Sequence, residues 1–194
     1  YSLQIYGDFS GYSDIAIGTA KVMGFELREN FKRPYFSKSI REFWQRWHMS
    51  LGSWFREYLY IPLGGNRVSK MRLTFNLLIV WSVTGFWHGA NWTFIIWGAL
   101  NALFFLPLLL TKKNRNNLEV VAQGKVLPSL KELFSILFTF SLTVFAWVFF
   151  RAENLSHAVQ YILDVFKNPG SFLLLSNYTA YAFTINLLVV FLLL

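Results

Sequence analysis

Three long apolar runs constrain the fold of this chain more than any other feature of its sequence. They cover residues 73–110, 133–150 and 172–194. A helix needs about 20 apolar residues to cross the hydrocarbon core of a bilayer, so runs of this length indicate membrane helices. Charged residues make up only 14% of the chain, against roughly 25% in soluble domains. The sequence therefore predicts an all-α protein, a polytopic membrane helix bundle.

The first apolar run is about twice as long as one crossing requires. Gly85, Gly89 and Asn91 cluster near its middle, and these residue types favour a turn. Basic residues flank both ends of the run, as they would if two crossings returned the chain to the same face of the membrane. We therefore predict a broken helix or hairpin around His88, between residues 87 and 91.

Residues 28–72 differ from the apolar runs, because they hold ten of the eighteen basic residues together with many aromatic ones. If one helix runs unbroken through this segment, an apolar stripe forms along one of its faces. The stripe would contain Ile40, Trp44, Trp47, Leu51, Trp54 and Tyr58. Tryptophan on one side and arginine on the other is typical of a helix near lipid headgroups. The segment is thus predicted to form interfacial amphipathic structure, ending in a turn at residues 62–66.

The remaining segments complete the predicted bundle. Small residues at helical spacing in residues 1–25 indicate a closely packed membrane helix. A polar loop at residues 114–131 precedes the second apolar run, and a short polar helix at 155–166 precedes the third. The chain opens without a methionine or signal pattern and stops inside an apolar run, so we expect it to be a fragment.

Several classes of function are poorly supported by the sequence. There is no cysteine, which removes disulfides, thiolate metal sites and a cysteine nucleophile. The net charge of +8 is spread between apolar runs rather than over one soluble face, so we predict no nucleic-acid partner. No metal-ligand spacing is present, and the Gly7–Gly11 segment lacks the strand that a nucleophile elbow requires. No metal is therefore predicted.

His88 is the main candidate for chemistry, because an ionisable side chain inside an apolar span is costly enough to suggest a function. Burial favours the neutral imidazole, which can accept a proton from a bound hydroxyl as a general base. On these residues alone, a structural histidine that bridges backbone carbonyls explains His88 equally well. His48 lies at the edge of the apolar stripe, which favours a structural position at the membrane interface. His157 lies in a polar stretch, which favours a solvated surface position.

Five segments, in their order along the chain, resemble the membrane-bound O-acyltransferase family, and in particular its bacterial polysaccharide branch that includes alginate O-acetyltransferase. The segments are Tyr-Gly-Asp-Phe-Ser-Gly-Tyr-Ser-Asp at 6–14, Phe-Trp-Gln-Arg-Trp-His-Met-Ser-Leu at 43–51, Tyr-Ile-Pro-Leu-Gly-Gly-Asn at 60–66, Gly-Phe-Trp-His-Gly-Ala-Asn-Trp at 85–92 and Phe-Phe-Arg-Ala-Glu at 149–153. Several matches in the right order are far more specific than one short motif.

The resemblance implies a many-helix bundle around a funnel, with His88 as the essential catalytic residue and His48 as a second active-site residue. We further predict that Asn91, Trp87 and Arg46 contact the substrate. Residues 1–194 would be the C-terminal catalytic part of the domain, without the N-terminal helices of the family. No cofactor would be bound, because the acyl thioester donor, acetyl-CoA or an acyl carrier, is a substrate.

The resemblance also implies a function: transfer of acetyl from the thioester donor toward hydroxyls of an exported, alginate-like polysaccharide. The transfer would be direct or would pass through a periplasmic acetyltransferase partner. The protein would span the bacterial plasma membrane several times, with the lipid bilayer as its solvent. Two alternatives stay open, namely D-alanyl transfer to teichoic acid and a non-enzymatic role in a polysaccharide export complex.

Overall fold

The structure is a computed structural model that describes residues 1–111, 121–122 and 127–167. In this part of the chain all regular structure is helical, as predicted. The α-helices are α1 (Ser2–Val22), α2 (Ile40–Arg46), α3 (Met49–Phe55), α4 (Lys70–His88), α5 (Trp92–Leu110), α6 (Leu130–Arg151) and α7 (Leu155–Lys167). The predicted final run at 172–194 and most of the predicted loop at 114–131 lie outside the described residues.

Two of the described helices are long and apolar enough to cross a membrane. They are α5 and α6. Helix α6 begins at a capping box, in which the Ser129 hydroxyl accepts from the backbone N–H of Glu132 and the Glu132 carboxylate accepts from that of Ser129. It ends at Arg151, whose guanidinium lies over the ring of Tyr1.

The predicted hairpin around His88 is confirmed. Helix α4 ends at His88 and α5 begins at Trp92, so only three residues connect two antiparallel helices. Asn91 is the N-cap of α5, where its Oδ1 accepts from the backbone N–H of Thr93 at 3.1 Å. His88 therefore occupies the last turn of α4, at the closed end of the hairpin.

Two glycines allow α4 and α5 to pack with their backbones in contact. A methyl group on Gly85 of α4 would overlap the carbonyl oxygen of Phe94, and one on Gly98 of α5 would overlap the carbonyl oxygen of Trp81. Small residues are the usual means by which membrane helices approach closely. The register of the hairpin, and with it the position of His88, is thus fixed by two glycines on facing helices.

The apolar stripe was predicted on the condition that one helix runs unbroken through the interfacial segment, and that condition is not met. The chain leaves α2 at Trp47, and His48 adopts left-handed backbone angles, φ 45° and ψ 54°, before α3 begins. Residues 30–32 pair with the groups on either side of the break: Lys32 N–H donates to the Arg46 carbonyl and Met49 N–H donates to the Asn30 carbonyl. The chain therefore turns at His48, because a distant segment supplies the hydrogen bonds that the helix gives up.

The break also divides the predicted apolar stripe. Ile40 and Trp47 are buried, whereas Trp54 and Tyr58 are 52% and 66% exposed. The predicted turn after this segment is confirmed, with Gly64 and Gly65 both at positive φ. Only the part of the stripe before the break packs against the described core.

Helix α1 packs through its aromatic residues rather than through its glycines. Tyr6 and Phe9 join the main core cluster, with ring centroids 5.7 and 4.9 Å from Phe31. A methyl group on Gly7, Gly11 or Gly18 would meet no described atom within 4 Å. Within the described residues, the predicted close packing through small residues is therefore not found in α1 and is found instead between α4 and α5.

Gly98→Ala in the intact protein should lower the free energy of unfolding by about 1–3 kcal/mol, since the added methyl forces α4 and α5 apart. Gly18→Ala is the matched control. It places the same methyl on a helix surface free of described neighbours and should leave stability unchanged or raise it by up to about 1 kcal/mol. Thermal unfolding of the purified protein in detergent measures both. Equal shifts for the two variants would contradict the packing described here.

Candidate active site

The fold brings His48 and His88 to the same cavity, although forty residues separate them in the sequence. The cavity has a volume of about 260 Å³. Its walls come from α1, from the α2–α3 break and from α4, α5 and α6, and most of them are aromatic. The lining residues are Ile5, Phe9, Trp44, Trp47, His48, Leu51, Thr84, Trp87, His88, Trp97, Trp147 and Phe150.

Aromatic rings surround both imidazoles. The His48 ring meets Phe9 edge to face, with centroids 4.6 Å apart, and its centroid lies 6.4 Å from that of Trp87. The His88 ring meets Trp97 at 5.2 Å and Phe150 at 5.1 Å, both nearly perpendicular. Such edge-to-face contacts hold a ring by packing and leave its polar atoms unengaged.

Neither imidazole donates or accepts a hydrogen bond within the described residues, and both histidines are half-buried. Burial lowers the pKa of His48 to about 4, so this ring is neutral at physiological pH. A neutral imidazole offers one nitrogen that accepts and one N–H that donates. The cavity thus presents two free, oriented imidazoles to whatever enters it.

Of the three predicted substrate contacts, one lines the cavity and two do not. Trp87 lines the cavity, is 57% exposed and contacts both histidine rings. Arg46 is not among the lining residues and forms an ion pair with Glu42 at 2.6 Å. Asn91 is not among them either, and its Nδ2 donates to the backbone carbonyl of Glu153 at 2.7 Å. Because its Oδ1 also caps α5, the Asn91 side chain joins the hairpin to the end of α6.

Several walls of the cavity were not foreseen from the sequence. Trp97, Trp147 and Phe150 lie in apolar runs, where their side chains resemble ordinary lipid-facing or core residues. Trp44 was assigned to the apolar stripe, but its indole N–H donates to Oδ1 of Asn101 at 3.1 Å. The signal that could have found this contact is Asn101 itself, an amide in a membrane-length helix that needs a polar partner.

His157 and the acidic residues in the described part of the chain do not line this cavity. His157 is exposed on α7, as predicted. In residues 1–111, 121–122 and 127–167, no group of three or more histidine, aspartate or glutamate side chains is arranged to hold a metal ion. The chemistry of the cavity is therefore that of two imidazoles among aromatic rings.

Comparison with known proteins assigns the chain to a family. The model of the membrane-bound O-acyltransferase family matches residues 1–150, which include both histidines. The chain is 50% identical to the probable alginate O-acetylase AlgI of Pseudomonas aeruginosa, over 81% of the chain. It is 44% identical to the peptidoglycan O-acetyltransferase of Helicobacter pylori over 82% of the chain, and 34% identical to the teichoic acid D-alanyltransferase of Streptococcus thermophilus over 77%.

These relatives are longer proteins. The chain spans 28% of the Pseudomonas protein, 29% of the Helicobacter protein and 39% of the Streptococcus protein. The family match nevertheless extends over most of the chain and covers α1 to α5 and nearly all of α6. The chain belongs to the membrane-bound O-acyltransferase family.

Proposed function

We propose that the protein to which this chain belongs transfers acetyl from a thioester donor toward hydroxyls of an exported polysaccharide, in the plasma membrane of a bacterium. The observation that carries this proposal is the meeting of two unbonded imidazoles in one aromatic cavity at the closed end of a helical hairpin. Acetyl-CoA or an acyl carrier is the donor, and it is consumed as a substrate.

His88 acts as the general base in this proposal. Its imidazole takes the proton of the acceptor hydroxyl while the hydroxyl oxygen attacks the thioester carbonyl carbon. The carbonyl oxygen gains negative charge, and the C=O bond then re-forms as the C–S bond breaks. The proton held on His88 passes to the departing thiolate, so the histidine returns to its neutral form.

The cavity favours transfer over hydrolysis because its walls are mostly aromatic and offer water few hydrogen-bonding partners. Water is the competing nucleophile for a thioester, so a dry site protects the donor until the acceptor arrives. His48, held by the backbone turn between α2 and α3, orients the attacking hydroxyl. Trp87 is the predicted substrate contact best supported by geometry, since it lies beside both histidines.

The names of the relatives support a choice of acyl group and acceptor. Two are O-acetyl-transferring proteins, at 50% and 44% identity, whereas the D-alanyltransferase is at 34%. Acetyl is therefore the proposed cargo, and D-alanyl transfer to teichoic acid is the second candidate. An alginate-like polymer is the proposed acceptor, reached directly or through a periplasmic acetyltransferase, and the protein crosses the bilayer several times.

His88→Ala in the intact protein should reduce acyl transfer by at least about 10²-fold, the usual contribution of a general base. His157→Ala is the control, because His157 is exposed on α7 and should be replaceable without effect. NMR of the exported polymer measures ester content and separates acetyl from alanyl esters, with protein amounts in the membrane checked in parallel. Wild-type ester levels in the His88→Ala strain would refute the proposal, and alanyl esters would favour the second candidate.

His48 should make stability depend on pH in a defined direction. The pKa of His48 is lowered from its ordinary value of 6.5 to about 4 in the folded protein. Between these two pH values the unfolded chain therefore binds a proton at His48 that the folded protein does not, which favours unfolding. His48→Asn removes the titration and retains a residue that tolerates left-handed angles. The stability advantage of the wild type over this variant should shrink as pH falls from about 7 to 5, as measured by unfolding in detergent. Parallel pH profiles would contradict burial of a neutral His48.

A further inference from the structure

The turn at His48 lacks the side-chain cap that the start of a helix usually has. His48 is the N-cap residue of α3, and its imidazole makes no hydrogen bond to the first backbone N–H groups of that helix. Residues that cap a helix with their own side chain typically have extended backbone angles, whereas His48 has left-handed ones. The N–H groups at the start of α3 therefore need an acceptor from elsewhere in the chain.

Asn30 supplies that acceptor from a distant segment. Its side-chain Oδ1 accepts from the backbone N–H of Ser50 at 3.1 Å and from the Ser50 hydroxyl at 2.7 Å. Its backbone carbonyl accepts from the N–H of Met49 at 3.1 Å. Ser50 is the second residue of α3, and the N–H at that position is one that an N-cap side chain ordinarily satisfies. Asn30 thus does for α3 what the side chain of His48 does not.

The residue that follows Asn30 anchors this segment against the wall of the cavity. Phe31 is buried, and its ring centroid lies 4.9 Å from that of Phe9 and 5.0 Å from that of Trp47. Both of these rings line the cavity, and Phe9 also meets the His48 ring edge to face. Asn30 is therefore held beside the turn by the packing of its neighbour as well as by its own hydrogen bonds.

The backbone angles of His48 decide where its imidazole lies. A residue with a side chain is strained at left-handed angles, and extended angles at this position would relieve the strain. Such a change would rotate the Cα–Cβ bond relative to α3 and take the imidazole away from its present place beside Phe9 and Trp87. The three hydrogen bonds that Asn30 accepts from the two residues after His48 oppose this change.

We propose that Asn30 is a positioning residue for acyl transfer, whose side chain caps α3 in place of His48 and so keeps the His48 imidazole in the cavity. The assignment rests on the proposed function, in which His48 orients the attacking hydroxyl. Asn30 does not itself line the cavity, and it acts on the reaction through His48 alone.

Asn30→Ala in the intact protein removes the Oδ1 acceptor and should slow transfer. Membranes that contain each variant are supplied with acetyl-CoA labelled in the acetyl group, and the initial rate of label transfer is measured over a range of donor concentrations. We expect kcat to fall about 10-fold with little change in the KM for the donor, because a displaced His48 misplaces the acceptor hydroxyl. Asn30→Asp keeps the acceptor oxygen and should retain at least about half of the wild-type kcat.

Asn154→Ala is the matched control, because Oδ1 of Asn154 caps α7 by accepting from the N–H of His157 at 2.9 Å. This variant loses an N-cap bond of the same kind from a helix that does not line the cavity. It should lower the melting temperature about as much as Asn30→Ala does and leave kcat unchanged. A wild-type kcat in Asn30→Ala, equal slowing in Asn154→Ala, or a failure of Asn30→Asp to restore the rate would overturn the assignment.

Ser50→Ala keeps the test decisive if Asn30→Ala does not accumulate in the membrane. It removes one of the two donors to Oδ1 of Asn30, at an exposed position where alanine favours the helix. A loss of rate in this variant therefore cannot come from a weaker helix. We expect kcat to fall about threefold, and a wild-type kcat would overturn the assignment.

The proposed function is tested separately in the same assay. Wild-type membranes that transfer no label, or a His88→Ala variant that transfers it normally, would overturn the acyl-transfer proposal and this assignment with it. Loss of transfer in His88→Ala together with a wild-type kcat in Asn30→Ala would overturn the assignment alone.

Discussion

The close approach of α4 to α5 is the constraint on which the rest of the site depends. Gly85 and Gly98 let each backbone contact the facing helix, so the hairpin has one register. That register puts His88 at the end of α4 beside Trp97 of α5. Any larger side chain at either glycine would separate the helices and move the imidazole away from its neighbours.

The second half of the site is built by a different kind of interaction. The turn at His48 costs helical hydrogen bonds and places a non-glycine residue at left-handed angles, both of which are unfavourable locally. The backbone of residues 30–32 offsets this cost by pairing with Arg46 and Met49. The Trp44–Asn101 hydrogen bond then fastens α2 to α5, and both histidines line one cavity between packed elements. Within the described residues neither imidazole is hydrogen-bonded, as the proposed acyl transfer requires of a general base.

Much of this arrangement could be predicted from the sequence. The parts that could not be predicted share one cause, which is their dependence on contacts with distant residues. The hairpin follows from a charge-free run that is too long for one crossing and has Gly85, Gly89 and Asn91 near its middle. The helix break at His48 does not follow from local sequence, because it depends on hydrogen bonds to residues 30–32. The bridge that the Asn91 amide makes between α5 and Glu153 does not follow from the sequence either, and its contact with substrate stays a prediction. Trp97 resembled a core residue, since its place in the cavity wall can be recognised only when its neighbours are known.

The central claim is that His48 and His88 serve one reaction centre, and a double-mutant cycle tests it most directly. Transfer rates of the intact protein are compared for His48→Asn, His88→Ala and the combined variant. When two groups stabilise one transition state as a unit, removing either group also removes the contribution of the other. The combined variant should therefore be about as slow as His88→Ala alone. Rate losses that multiply, as they do for independent sites, would contradict a shared reaction centre.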